Sequence, residues 1–187
     1  MRPLLLILPL LLLLSACQSV QLERDFDPNR DFSAYRSWSW AEPAVQFKPE
    51  DPRIDSDLSR QRIRTAIGEQ LDQRGLRPAP AGTAGDLKVQ AWLIVDNRQQ
   101  QVSTHFGGAW GDPWAGGFWG GPSYVETRTL DYQVATLQVD LLDAGDGKLV
   151  WRGSAEQILR SGQPTPSERE AAIRDTVAKI LSQYPPR

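Results

Sequence analysis

The chain holds one cysteine, one histidine and one methionine in 187 residues. A lone cysteine cannot close an internal disulfide, so its thiol needs another purpose. One histidine beside one cysteine cannot supply the three or four ligands of a usual zinc site. Charge of one sign is also missing. Lys and Arg total 21 against 23 acids, giving −2, or −3 once Arg2 is set aside. No basic stripe suits nucleic acid, and no like-charge block suggests a solvating tail. There is no internal repeat with a period of about 20 to 50 residues. The leading apolar run, Leu4–Leu14, is too short to span a bilayer. As a helix it would reach about 16 Å, roughly half the hydrocarbon thickness.

What is present begins at that run. Arg2 and the amino terminus supply the positive flank of a secretory signal peptide. The run ends in Leu14-Ser15-Ala16-Cys17, which resembles the bacterial lipobox. The expectation is a signal peptide over residues 1–16 and a lipid-modified N-terminus over residues 17–19. Acyl chains on Cys17, palmitate among them, would then make the membrane a partner, since stable anchoring takes more than one chain. Gln18 in place of Asp favours, by resemblance to the usual sorting rule, the outer membrane with the domain facing the periplasm.

Residues 20–187 are long enough for one domain with a real core. Val20, Leu22 and Phe26 alternate as a first strand. Tyr35–Trp40 reads as a second, with Trp38 and Trp40 on one face. Ala41–Arg53, rich in Pro and charge, reads as a loop. Leu58, Ile63, Ala66, Ile67 and Leu71 make a helical stripe over Ser56–Arg74, with Gly75 and Pro78 ending it. Asp86–Asp96 and Val134–Leu142 alternate as strands. The turn Asp143–Gly147 joins the latter to Lys148–Ile158, where Arg152 can pair with Asp140 across the hairpin. A last helix spans Pro166–Gln183, opened by the capping box Thr165/Glu168 with Pro166 in its first turn. Its stripe is Ala172, Ile173, Val177, Ile180, Leu181 and Tyr184. The order β-β-α-β-β-β-α predicts an α+β fold, an antiparallel or mixed sheet of about five strands with two helices on one face.

Several motifs carry a family likeness. They are Asp25-Phe26-Asp27, the run Asp31–Trp40, Gly85–Val89, Leu137–Asp143, Lys148–Gly153 and Lys179–Pro186. Together they resemble the bacterial lipoprotein family known as domain of unknown function 4136. Ala135-Thr136 departs from the Gly-Thr expected at the entry of its strand. The resemblance omits about Gln99–Tyr124 and brings no active site with it. The element order is also similar to small envelope lipoproteins that assist lipopolysaccharide assembly or lipid transport, a likeness of topology that carries no function.

Candidate chemistry is sparse. Asp25, Asp27 and Asp31 with Arg36 form an acidic cluster without the spacing of a calcium loop, and read as turn and cap residues. His105 has Ser103 and Ser123 nearby, but no nucleophile elbow surrounds either serine. Gly107-Gly108 and Gly116-Gly117 lack the Lys-Ser/Thr of a phosphate loop. No catalytic residue, metal ligand or cofactor is expected. The distinctive feature is a Gly/Trp-rich loop over about residues 99–124. It carries Phe106, Trp110, Trp114, Phe118 and Trp119 as candidate binding residues. Large aromatics among glycines suit lid packing, an envelope protein or glycan partner, or the membrane interface. The expected function is a non-enzymatic outer-membrane lipoprotein that binds or scaffolds another envelope component. The alternative is a small-ligand or lipid carrier with a cleft gated by the aromatic loop.

Overall fold

The computed structural model describes residues 20–106, 124–159, 162 and 164–186. Six strands form one mixed sheet with two helices. They are β1 (Gln21–Phe26), β2 (Ser37–Lys48), β3 (Arg77–Pro78), β4 (Leu87–Phe106), β5 (Tyr124–Asp143) and β6 (Leu149–Ile158), with α1 (Asp57–Gln73) and α2 (Pro166–Leu181). The spatial order is β1-β6-β5-β4-β2-β3. The β2–β3 and β2–β4 pairs are parallel, and the other three are antiparallel. The expected five strands become six because Arg77 and Pro78, just past α1, pair with Ser37 and Trp38. A two-residue strand leaves no alternation to read.

Alternation places the core. Leu87, Val89 and Ala91 of β4 stand opposite Leu141, Val139 and, across β2, Trp38 and Val45, all buried on one face. Trp151 and Ala155 of β6 join them. Both helices lie on that face: Gly68 of α1 sits over the Trp38 indole, and Ile180 of α2 over Gly153. Their buried stripes are Ile63, Ala66, Ile67 and Leu71 in α1, and Thr176, Val177, Ile180 and Leu181 in α2. Leu58, grouped with the first stripe by its spacing, is 62% exposed in the first turn of α1, and Ala172 is likewise exposed.

Two glycines in the family motifs answer to close approach rather than to a turn. A Cβ on Gly85 would lie 2.5 Å from the Trp38 backbone carbon, and one on Gly153 2.4 Å from the Trp151 ring. Beside Gly85, the Asp86 carboxylate accepts from the Arg36 and Ser37 amides and the Ser37 hydroxyl, each at 2.9 Å. It thereby fixes where β2 starts against β4.

β2 runs eight residues beyond Trp40, through Pro43, where a loop was expected. β3 covers only Ser37 and Trp38, so the outer edge of β2 is otherwise open, and an open edge tolerates proline. The register shifts between Trp40 and Val45, absorbing the interruption.

Candidate functional site

The sheet has two unlike ends. At one, the β1–β2 connection is clasped to the β5–β6 turn. The Arg30 guanidinium donates to Asp27, to Asp143 at 3.1 Å and to Asp146 at 2.5 Å, while the Tyr35 hydroxyl donates to Asp143 at 2.9 Å. The Tyr35 hydroxyl, turn amides and neighbouring charge hold the Asp143 carboxyl below its ordinary range. Burial, followed by that hydrogen bond, pushes Tyr35 up to about 12. Asp31, through its carboxylate, caps the 3₁₀ turn Phe32–Ala34. Asp25 lies in β1 opposite Arg152, and Asp27 turns the chain by accepting from the Asn29 amide. The acidic cluster therefore divides into turn, cap and clasp roles. Among the described residues no group of three or more His, Cys, Asp or Glu is placed to hold a metal ion.

At the other end β4 and β5 outrun their neighbours. β2 stops pairing at Ile94, and β6 at Val134. Beyond, residues 97–106 and 124–133 continue as a two-stranded arm, in register from Asn97↔Gln133 to Phe106↔Tyr124. Ten residues a side make an arm of about 33 Å. The first eight residues of the segment expected to be loop are thus strand. Polar pairs line one face of the arm: Asn97 with Gln133, Gln99 with Asp131, and Ser103 with Thr127. On the other face, Arg98 forms a two-pronged pair with Glu156 at 2.8 and 2.6 Å, bracing the base of the arm against β6.

Further out the arm is apolar and uncovered. Val102, Leu130, Phe106, Tyr124 and Val125 are all exposed, Tyr124 at 61%. Phe106 and Tyr124 stack at 5.2 Å with their planes 17° apart, closing the described part of the arm. No charged side chain occurs from Gln99 to Phe106. In the outermost part of β5 the charges are Glu126 and Arg128, paired with each other at 2.6 Å.

Of the candidate binding residues, Phe106 lies here. Trp110, Trp114, Phe118, Trp119 and Cys17 lie outside the described residues. His105 is exposed on the arm opposite Val125, and Ser103 shares its hydrogen bond with the Thr127 hydroxyl. Asp140 and Arg152 form the expected cross-strand pair, with two bonds of 2.7 Å, on the sheet face away from the helices. Val102, Tyr124, Val125 and Leu130 were not singled out from sequence. The signal available was β-branched and aromatic enrichment on both sides of the glycine segment, in Val102–Phe106 and Tyr124–Leu130.

The amino-terminal end of the domain is at the arm end too. Gln21 pairs with Glu156, Glu156 with Thr136, and Thr136 with Ile94, three residues short of the arm. Phe26, at the other end of β1, pairs with Trp151 near the clasp. Between the helices and the sheet, Ile63, Leu93, Ala135, Ala155 and Ile173 border an apolar crevice of about 70 Å³.

No curated protein matches the chain at a significant level. Solved structures share its fold. A PDZ domain protein from Parabacteroides distasonis matches with a TM-score of 0.53 at 16% identity, over 90% of this chain and 36% of that one. This chain therefore spans little more than a third of that protein. A DUF4136 family protein from Bacteroides thetaiotaomicron matches at 0.47 and 17% identity, over 89% and 96% of the two chains. A PelC dodecamer from Paraburkholderia phytofirmans matches at 0.46 and 12%, over 88% and 95%. The family model described as Domain of unknown function (DUF4136) matches residues 22–186, and the chain belongs to that family.

Proposed function

We propose that this protein is an outer-membrane-anchored, non-enzymatic lipoprotein that binds another component of the cell envelope through its β4–β5 arm. The observation that carries the reading is a projecting arm with exposed apolar residues at its end, in a chain whose sequence places a lipobox at Leu14–Cys17. Scattered apolar side chains on a surface need no explanation. A two-stranded ribbon clear of the core is different, because it is marginally stable alone and gains from contact. The carrier reading has less support. A crevice of about 70 Å³ is small against the roughly 300 to 1,000 Å³ that encloses a small ligand.

The test is photo-crosslinking in cells, with the reactive side chain replacing Tyr124 in the acylated protein. A control places it at Arg64, exposed on α1. A discrete adduct at Tyr124 and none at Arg64 supports binding through the arm. Equal labelling at the two positions contradicts it. Loss of palmitate incorporation in Cys17→Ala checks the anchor separately.

A further inference from the structure

We infer that the tip of the arm, formed by Phe106, Tyr124 and Val125, rests in the interfacial layer of the bilayer that holds Cys17. The inference rests on the proposed acylation of Cys17 and names what the arm touches. It follows from where the chain enters the sheet. Four peptide steps separate Cys17 from Gln21, a reach of at most about 14 Å. Gln21 lies level with Ile94, at the arm end of the sheet. β1 then runs six residues toward the clasp, about 20 Å. The tether is shorter than β1, so the clasp end cannot be turned to the membrane.

The arm has the opposite relation to the tether. From the level of Ile94 to Phe106 is twelve residues along β4, about 40 Å. That is well over twice the reach of the tether. An arm pointing along the bilayer normal would pass deep into the acyl chains. An arm inclined to the surface lays its outer part along the headgroups. Either way the outer arm meets lipid.

Its chemistry suits that place. Tyr and Trp favour the membrane interface because an apolar ring meets hydrocarbon while a polar group stays wet. Tyr124 presents such a ring, stacked on Phe106, with Val125 and Val102 beside it. The ions nearest the tip, Glu126 and Arg128, neutralise one another. The polar hairpin pairs satisfy each other across the opposite face. A charged tip would resist the interface, and this one carries no net charge to bring there.

The experiment uses the full acylated chain in vesicles of phosphatidylethanolamine and phosphatidylglycerol. Acylation occupies the sulfur of Cys17, so a cysteine introduced elsewhere is the single free thiol. An environment-sensitive fluorophore is attached in turn to Val125→Cys, Tyr124→Cys and, at the clasp end, Gly145→Cys. Nitroxide-labelled lipids then quench it. The expected result is blue-shifted emission and severalfold stronger quenching at both tip positions than at Gly145. Protein that floats with the vesicles yet is quenched equally at tip and clasp would overturn this inference and leave the anchor standing. Protein that fails to float would overturn the anchor, and this inference with it. A protein adduct at Tyr124 in cells, without lipid quenching in vesicles, would give the tip to a protein partner instead.

Discussion

At the scale of single residues, the family motifs follow from contact distances. Trp151 is fully buried, and its ring lies over Gly153, where α2 also presses Ile180. A methyl at 153 would meet both, at 2.4 and 2.8 Å. Gly153→Ala is therefore expected to destabilise the domain by about 1–3 kcal/mol, the usual cost of overpacking a filled core. Urea unfolding checks it, with Gly145→Ala in the exposed turn as the control. The carboxylates set the acid limit. The Arg36 and Ser37 donors around Asp86 lower its acidity constant, as do the Tyr35 hydroxyl for Asp143 and the Arg30 guanidinium for Asp146. As pH falls, the unfolded chain takes up these protons first. Their stabilisation is complete above about pH 5 and is lost as pH drops through about 4 toward the folded-state values. Urea midpoints at pH 7, 5 and 3 should fall mainly over the last interval, and Asp86→Asn should flatten that fall. A midpoint independent of pH across that interval would contradict the assignment.

At the scale of elements, legibility followed burial. Both helices could be read because each has a cap and a stripe. The Thr165 and Glu168 side chains bond reciprocally as a capping box, and Ser56 caps α1. β2 beyond Trp40 could not be read, because Pro43 and charge mark a loop unless the edge is known to be open. The arm was hidden for a related reason. Its residues alternate without an apolar side, since neither face is covered, and period-two reading depends on one buried face. The role of Asp86 was also out of reach of sequence, because it depends on β2 lying parallel beside β4, some fifty residues away. The arm carries its own prediction. With no third strand and no helix upon them, residues 97–106 and 124–133 should exchange amide hydrogens much faster than 87–93 and 135–142. Hydrogen exchange read by mass spectrometry on the detergent-solubilised protein distinguishes the two halves of the same strands. Vesicle binding should slow the outer half more than the inner half.

At the scale of the whole molecule, register and tether length together give an orientation. The domain has a clasped end and an arm end, and its chain begins at the arm end. Membership in DUF4136 accounts for the order of the elements while leaving the role open. The orientation therefore depends on an anchor at Cys17, and that is the claim to test most directly. The measurement is the intact mass of the protein extracted from membranes, with fragmentation of its amino-terminal peptide. The account predicts loss of residues 1–16 and a peptide beginning at Cys17 that carries diacylglyceryl and an N-linked acyl chain. A mature protein that begins elsewhere, or begins at an unmodified Cys17, would contradict the anchor and the orientation drawn from it.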